Sequence, residues 1–177
     1  ASDWSSDVCS SDLSLTISQL QLSTSEQEQL KAVLLAELKQ GHRLNNDEVA
    51  QYLDGLEYSP IDLNGDSIPE FVVQTSGNSS CSPTGNCPTW VVGRTGGTFK
   101  VILRQSIAQT ITIQKLRSGG YHDVVLVMHG SATTQRLRVY RYSQGMYLRV
   151  GCYETDWDVI EGDDRRKLDE PRFSKCR

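Results

Sequence analysis

The densest run of oxygen-bearing side chains in this 177-residue chain is Asp62-Leu63-Asn64-Gly65-Asp66-Ser67-Ile68-Pro69-Glu70. Asp62, Asn64 and Asp66 place an oxygen at every second position, Glu70 adds another, and the Ile68 carbonyl lies between them. A hard cation that takes about six to eight oxygens in a flexible geometry suits such a set. The spacing predicts Ca2+ held by Asp62, Asn64, Asp66, Ile68 and Glu70, while the stricter octahedron of Mg2+ fits less well. The loop is not an EF-hand, because its twelfth position falls on Val73, its sixth is Ser67 rather than glycine, and a strand-like run follows.

The case for catalysis is thinner. His122, Asp123, His129 and Ser131 invite a hydrolase triad, yet HDVVLVMHGS lacks a Gly-x-Ser-x-Gly elbow. In an unbroken strand Asp123 and His129 would share a face about 20 Å apart at roughly 3.3 Å per residue, too far to hydrogen-bond. They read better as polar residues ending a buried strand. Asp156, Asp158, Glu161, Asp163 and Asp164 could supply a glycosidase carboxylate pair, but Arg165, Arg166 and Lys167 make the segment a mixed-charge surface. Tyr153 and Trp157 form a possible sugar-stacking or protein-binding platform, with core packing or tail anchoring as the other reading of Trp157.

Residues 2 to 13, SDWSSDVCSSDL, use six residue types without periodicity and look like translated sequencing-adapter DNA, so residues 1–13 are read as a non-native artefact. Setting them aside removes Cys9 and takes 22 acidic positions to 19 against 18 basic ones. Cys81, Cys87, Cys152 and Cys176 remain, and three pairings are possible. The turn formers of GNSSCSPTGNCPTW favour Cys81 with Cys87, leaving Cys152 with Cys176. These bridges would contribute about 2.4 and 3.5 kcal/mol in the loop-entropy treatment. Zinc is the competing reading, but the gap between Cys81 and Cys87 exceeds the usual knuckle and no second close Cys/His pair follows. Disulfides would place the chain in an oxidising compartment, periplasmic or extracellular.

The elements that must position these residues are legible from periodicity. Overlapping capping boxes in Ser23-Thr24-Ser25-Glu26-Gln27-Glu28 precede Leu30, Val33, Leu34 and Leu38 on one helical face, ending at Gly41. Asn45 and Asn46 cap a shorter helix over 47–53 that stops near Gly55. After Pro60 come short β-branched or aromatic runs: 71–73, 90–92, 99–103, 111–113, 124–127, 137–140 and 147–150. From Glu154 the alternating charges predict a solvated tail tied back by Cys176. A two-fold repeat runs through the β part, with Glu70-Phe71-Val72-Val73 answering Asp123-Val124-Val125-Leu126 and WVVGRTGGTFKVI answering LRVYRYSQGMYLRV. The longer loop of the first copy carries Cys81 and Cys87.

The oxygen-rich loop, the following strand, the Trp-Val-Val strand and the Gly96-Gly97-Thr98-Phe99 turn resemble the repeat unit of the FG-GAP and VCBS families over residues 62–103, and weakly over 117–150. The resemblance implies an extracellular β-propeller-type unit serving adhesion, carbohydrate binding or scaffolding, with calcium on Asp62, Asn64, Asp66 and Glu70. This chain departs from that pattern. Ser67 replaces a glycine, Glu70 replaces the last Asp, Arg117-Ser118-Gly119-Gly120-Tyr121-His122-Asp123 has lost nearly all ligands, and two units are too few for a ring.

The expected fold is therefore α+β: an N-terminal helical pair (14–58) on a disulfide-stapled antiparallel β-meander body (59–177) of about seven strands in two three-stranded units, one domain from 14 to 177. The expected function is a non-catalytic, calcium-stabilised binding or scaffolding module of a small bacterial secreted protein, with an envelope protein or glycan as partner. The alternative is a small envelope hydrolase, or an inhibitor plugging a wall-degrading enzyme with the Cys81 to Cys87 loop. No apolar run reaches the roughly 20 residues of a membrane-spanning helix, and a formal charge of -4 argues against nucleic acid.

Overall fold

The structure, a computed structural model, describes residues 22–41, 49, 53, 55–76, 80–161 and 164–176. Helix α1 (Thr24–Gly41) starts on the predicted capping box. The Ser23 amide and hydroxyl both donate to the Glu26 carboxylate, at 2.9 and 2.8 Å, and the Glu26 amide returns a bond to the Ser23 hydroxyl. Leu30, Leu34 and Leu38 recur at helical spacing and are wholly buried. The shorter helix expected over 47–53 lies outside the described residues, apart from Val49 and Leu53, which join the same core as α1.

Nine antiparallel strands follow: β1 (Leu56–Ile61), β2 (Glu70–Thr75), β3 (Cys87–Thr95), β4 (Thr98–Ala108), β5 (Thr110–Ser118), β6 (Tyr121–His129), β7 (Thr134–Ser143), β8 (Met146–Glu161) and β9 (Asp164–Lys175). They form two sheets in chain order, β1-β2-β3-β4 and β5-β6-β7-β8-β9. Alternation along each strand divides its apolar residues between two cores. Phe71, Val73, Trp90 and Val92 face α1, whereas Val91 and Leu103 meet Val124, Leu126 and Tyr147 of the second sheet. Coverage on both faces explains why β2 and β3 read as continuous hydrophobic runs. On the other face of the second sheet Val125, Leu137 and Val139 form a smaller cluster.

This arrangement corrects the expected α+β fold of a helical pair on a seven-stranded meander of three-stranded units. Among the described residues the molecule is mostly β, with one helix and nine strands. All seven apolar runs lie in strands, and the two additional strands are edges. β1 carries Pro60, a residue tolerated where one row of backbone groups needs no partner. β9 is rich in charge on both faces and is held by its ladder to β8, from Tyr153↔Lys175 to Glu161↔Asp164. The segment expected to be a solvated tail is thus a long hairpin. In place of two three-stranded units there are a four-stranded meander, β1–β4, and a five-stranded one, β5–β9, which share the core around Leu63, Leu103, Leu126 and Tyr147.

Both expected cysteine pairs are disulfides. Cys81–Cys87 closes the insertion between β2 and β3, and Cys152–Cys176 ties the end of β9 to β8.

Candidate functional site

The oxygen-rich loop connects β1 to β2 and is ordered by its own side chains. Asp62 accepts the amides of Gly65 at 2.6 Å and Ser67 at 3.1 Å. Asn64 Oδ1 accepts the Asp66 amide, and Asp66 Oδ1 accepts that of Ile68. Such side-chain-to-backbone bonds are what Asp and Asn contribute to turns. Two residues take left-handed backbone, Gly65 at φ +82° and Ser67 at φ +67°. Ser67 thus adopts a conformation that glycine takes without strain, and bears the Cβ penalty.

Glu70 closes the loop from the first residue of β2. Its side chain is buried, and its Oε2 accepts the Leu63 amide at 2.7 Å. Burial raises this carboxyl to about 7, the Leu63 amide and its own backbone oppose the rise, and the nearby charges of Asp66 and Asp62 add to it. The Asn64 amide nitrogen stands among three oxygens, donating to Asp66 Oδ2 at 2.9 Å and to Glu70 Oε1 and Tyr121 Oη at 3.3 Å.

The loop is also where the two sheets join. Leu63 is fully buried in the core between them, and its carbonyl accepts the His122 amide at 2.8 Å. Arg117 Nη1 donates to the Asn64 carbonyl at 2.7 Å. Arg117 Nη2 donates to His122 Nε2, and His122 Nδ1 donates to the Gln114 carbonyl. Tyr147, its hydroxyl pushed up by burial and so kept protonated, donates to the His122 carbonyl at 2.7 Å. The turn between β5 and β6, Arg117 to Asp123, therefore docks on the oxygen-rich loop. Sequence reasoning missed Arg117 as a partner. Its only signal was a cationic residue in a Gly-rich turn of a chain that carries an acidic loop elsewhere.

The donor chemistry of Asp62, Asn64, Asp66, the Ile68 carbonyl and Glu70 fits a hard cation, since carboxylate oxygens already bonded to amides keep a second lone pair. The Asn64 amide holds the place where the oxygens of Asp66 and Glu70 converge. Among the described residues no three acidic, His or Cys side chains stand grouped for a metal in this arrangement, so an ion would require that amide to turn.

The triad candidates are not assembled. Asp123, buried, pairs with Arg141 at 3.1 Å. His129 exchanges two backbone bonds with the Asn86 side chain, at 2.7 and 2.8 Å. The Ser131 hydroxyl bonds that of Thr134. Asp156 and Asp158 lie in β8, and Asp158 is buried; Asp163 lies outside the described residues. Tyr153 packs against Val125, Leu137 and Val139, whereas Trp157 is 41% exposed. Trp157, Phe173 and Pro171 line a shallow cavity of about 180 Å³ together with Leu137 and Thr155. No family model, curated protein or solved structure matches the chain. Among the described residues no helix is long and apolar enough to cross a membrane.

Proposed function

We propose that the chain is a periplasmic or extracellular, calcium-stabilised binding or scaffolding module of the bacterial envelope, built on FG-GAP/VCBS-like units and acting on a glycan or protein without catalysing a reaction. The observation that carries this reading is the position of the oxygen-rich loop at the joint of both sheets. A cation held by Asp62, Asn64, Asp66, the Ile68 carbonyl and Glu70 would neutralise a buried carboxylate and brace both sheets at once, a structural rather than a reactive role. The two disulfides support an oxidising compartment. The exposed Trp157 beside Phe173 supplies a platform of the kind that stacks on sugar rings.

Purified wall material tests the glycan arm. In millimolar calcium the protein should sediment with insoluble wall and release no soluble sugar, and Trp157→Ala should weaken sedimentation at least tenfold. Release of soluble fragments would favour the hydrolase alternative, and neither sedimentation nor release would remove the glycan.

One observation favours the inhibitor reading. Ser82, Pro83, Thr84 and Gly85 are exposed, yet their loop is fixed by Cys81–Cys87, by the Ser82 amide donating to the Asn86 carbonyl, and by Asn86 clasping His129. A rigid exposed loop binds at low entropic cost. Inhibition of a wall hydrolase that is lost with Pro83→Gly and Thr84→Ala would establish it.

A further inference from the structure

Away from the oxygen-rich loop, β7 and β8 carry a cluster of arginines that no carboxylate of the described residues fully neutralises. Arg136 pairs with Glu154. Arg138 and Arg149 pair with no acidic residue among the described ones. All three line a cleft of about 390 Å³ together with Val150, Gly151, Cys152 and Cys176.

The cluster is assembled by an irregularity in the ladder. Arg138 lies opposite Cys152 and Val139 opposite Gly151, but Tyr140 lies opposite Arg149, so Val150 is an extra residue in β8. Paired residues share a face of a sheet. In an unbroken register Arg149 would have faced Arg141 and pointed to the other side. The bulge instead brings it to the face of Arg136 and Arg138, the re-aiming of a side chain for which bulges serve at sites. The Cys152–Cys176 bridge forms a wall of the cleft and ties the adjacent edge strand in place.

Arg138 is held from one side and open on another. Its Nη1 donates to Ser106 Oγ at 3.4 Å, and Ser106 bonds the Tyr140 hydroxyl at 3.0 Å. Its Nε is buried without a hydrogen-bond partner. Most buried polar side-chain groups in native proteins are hydrogen-bonded, and Arg138, which lines the cleft, keeps guanidinium donors to offer an anion there. Guanidinium forks match the paired oxygens of an oxyanion, and two uncompensated positive charges match a dianion rather than a single carboxylate.

We propose that this cleft binds a doubly charged phosphate group, free or as a small phosphomonoester, through Arg138 and Arg149 with Arg136 at its rim. The proposal is independent of calcium at the oxygen-rich loop and of the module's partner.

The test is a titration of the intact oxidised protein with inorganic phosphate, followed by amide chemical shifts in calcium-free buffer at constant ionic strength. Saturable shifts centred on 136–138 and 149–152, with a dissociation constant of millimolar or tighter, are expected. Acetate should leave those amides unmoved. The exposed Arg149→Gln should weaken binding at least tenfold, and Arg138→Lys, which keeps the charge but loses the fork, should also weaken it. Arg104→Gln, on β4, should change nothing. Glucose 6-phosphate separates the sources: equal affinity indicates the free anion, tighter binding an ester, and either supports the site. No saturable shift up to about 50 mM phosphate, or undiminished binding by Arg149→Gln, would overturn it.

Discussion

Glu70 concentrates the electrostatics of the oxygen-rich loop into one group. The fold holds its proton to about pH 7, whereas an unburied carboxyl releases it near 4.5. The native state therefore binds more protons than the unfolded chain between those values, and stability falls as pH rises through them. The contribution is fully present below about 4.5 and lost above about 7, a difference of order 3 kcal/mol. Glu70→Gln keeps an acceptor for the Leu63 amide and removes the charge. In chelator it should be more stable than the parent at pH 8, with the advantage vanishing at pH 5; urea unfolding at the two pH values checks this, and an equal effect at both would refute the assignment. Calcium should oppose the same penalty, so its stabilisation of the parent should grow with pH and be absent in Glu70→Gln.

Ser67 offers a second check on the same loop. Its left-handed backbone costs a residue with a Cβ roughly 1–2 kcal/mol, offset in part by the extra entropy a glycine loses on folding. Ser67→Gly should therefore raise stability by about 0.5–1 kcal/mol and leave the calcium response intact. Thermal melts with and without calcium measure both quantities. The sequence marked Ser67 as a departure from a calcium-loop pattern but could not show that the turn persists despite it. The turn persists because Asp62 accepts the Ser67 amide and fixes the backbone from outside the residue.

At the scale of elements, disulfides matter most where hydrophobic burial is least. β9 buries little and pairs only with β8, so Cys152–Cys176 is the one covalent tether that supplements its backbone ladder. Replacing both cysteines by alanine should cost about 3.5 kcal/mol, against about 2.4 kcal/mol for the Cys81–Cys87 pair. Hydrogen exchange should quicken across residues 164–175 in the first variant and stay local to 80–88 in the second. β9 was illegible in the sequence for the same reason. Its charges on both faces give no alternation, and its pairing rests on backbone bonds that any side chain permits. β1 was hidden by Pro60 and by lying on an edge. The strands that bury a face, β2 to β8, were visible because burial leaves apolar runs, and α1 because Ser23 and Glu26 write its start. The facing of the two sheets was not legible, since apolar runs mark strands but not which sheet each joins or how the sheets meet.

At the scale of the whole molecule, the acidic loop between β1 and β2 is seated on the turn between β5 and β6. Leu63 fills the core between the sheets while its amide meets Glu70 and its carbonyl meets His122. A ligand that orders this joint stabilises both sheets together. The arginine cleft on β7 and β8 and the exposed Trp157 lie elsewhere on the second sheet, so a braced joint would hold in place the two surfaces proposed to bind phosphate and glycan.

The central claim is that calcium braces this joint, and a thermal melt of the oxidised protein in millimolar calcium against chelator tests it most directly. With free calcium about tenfold above the dissociation constant, stabilisation should be about 1.4 kcal/mol. For a domain of this size that is a rise of several degrees in Tm. Asp62→Asn with Asp66→Asn should abolish the rise while leaving the chelator melt within a few degrees of the parent. An identical Tm in calcium and chelator at pH 8, where Glu70 is ionised, would contradict the account and reduce the loop to a turn held by its own Asp and Asn side chains.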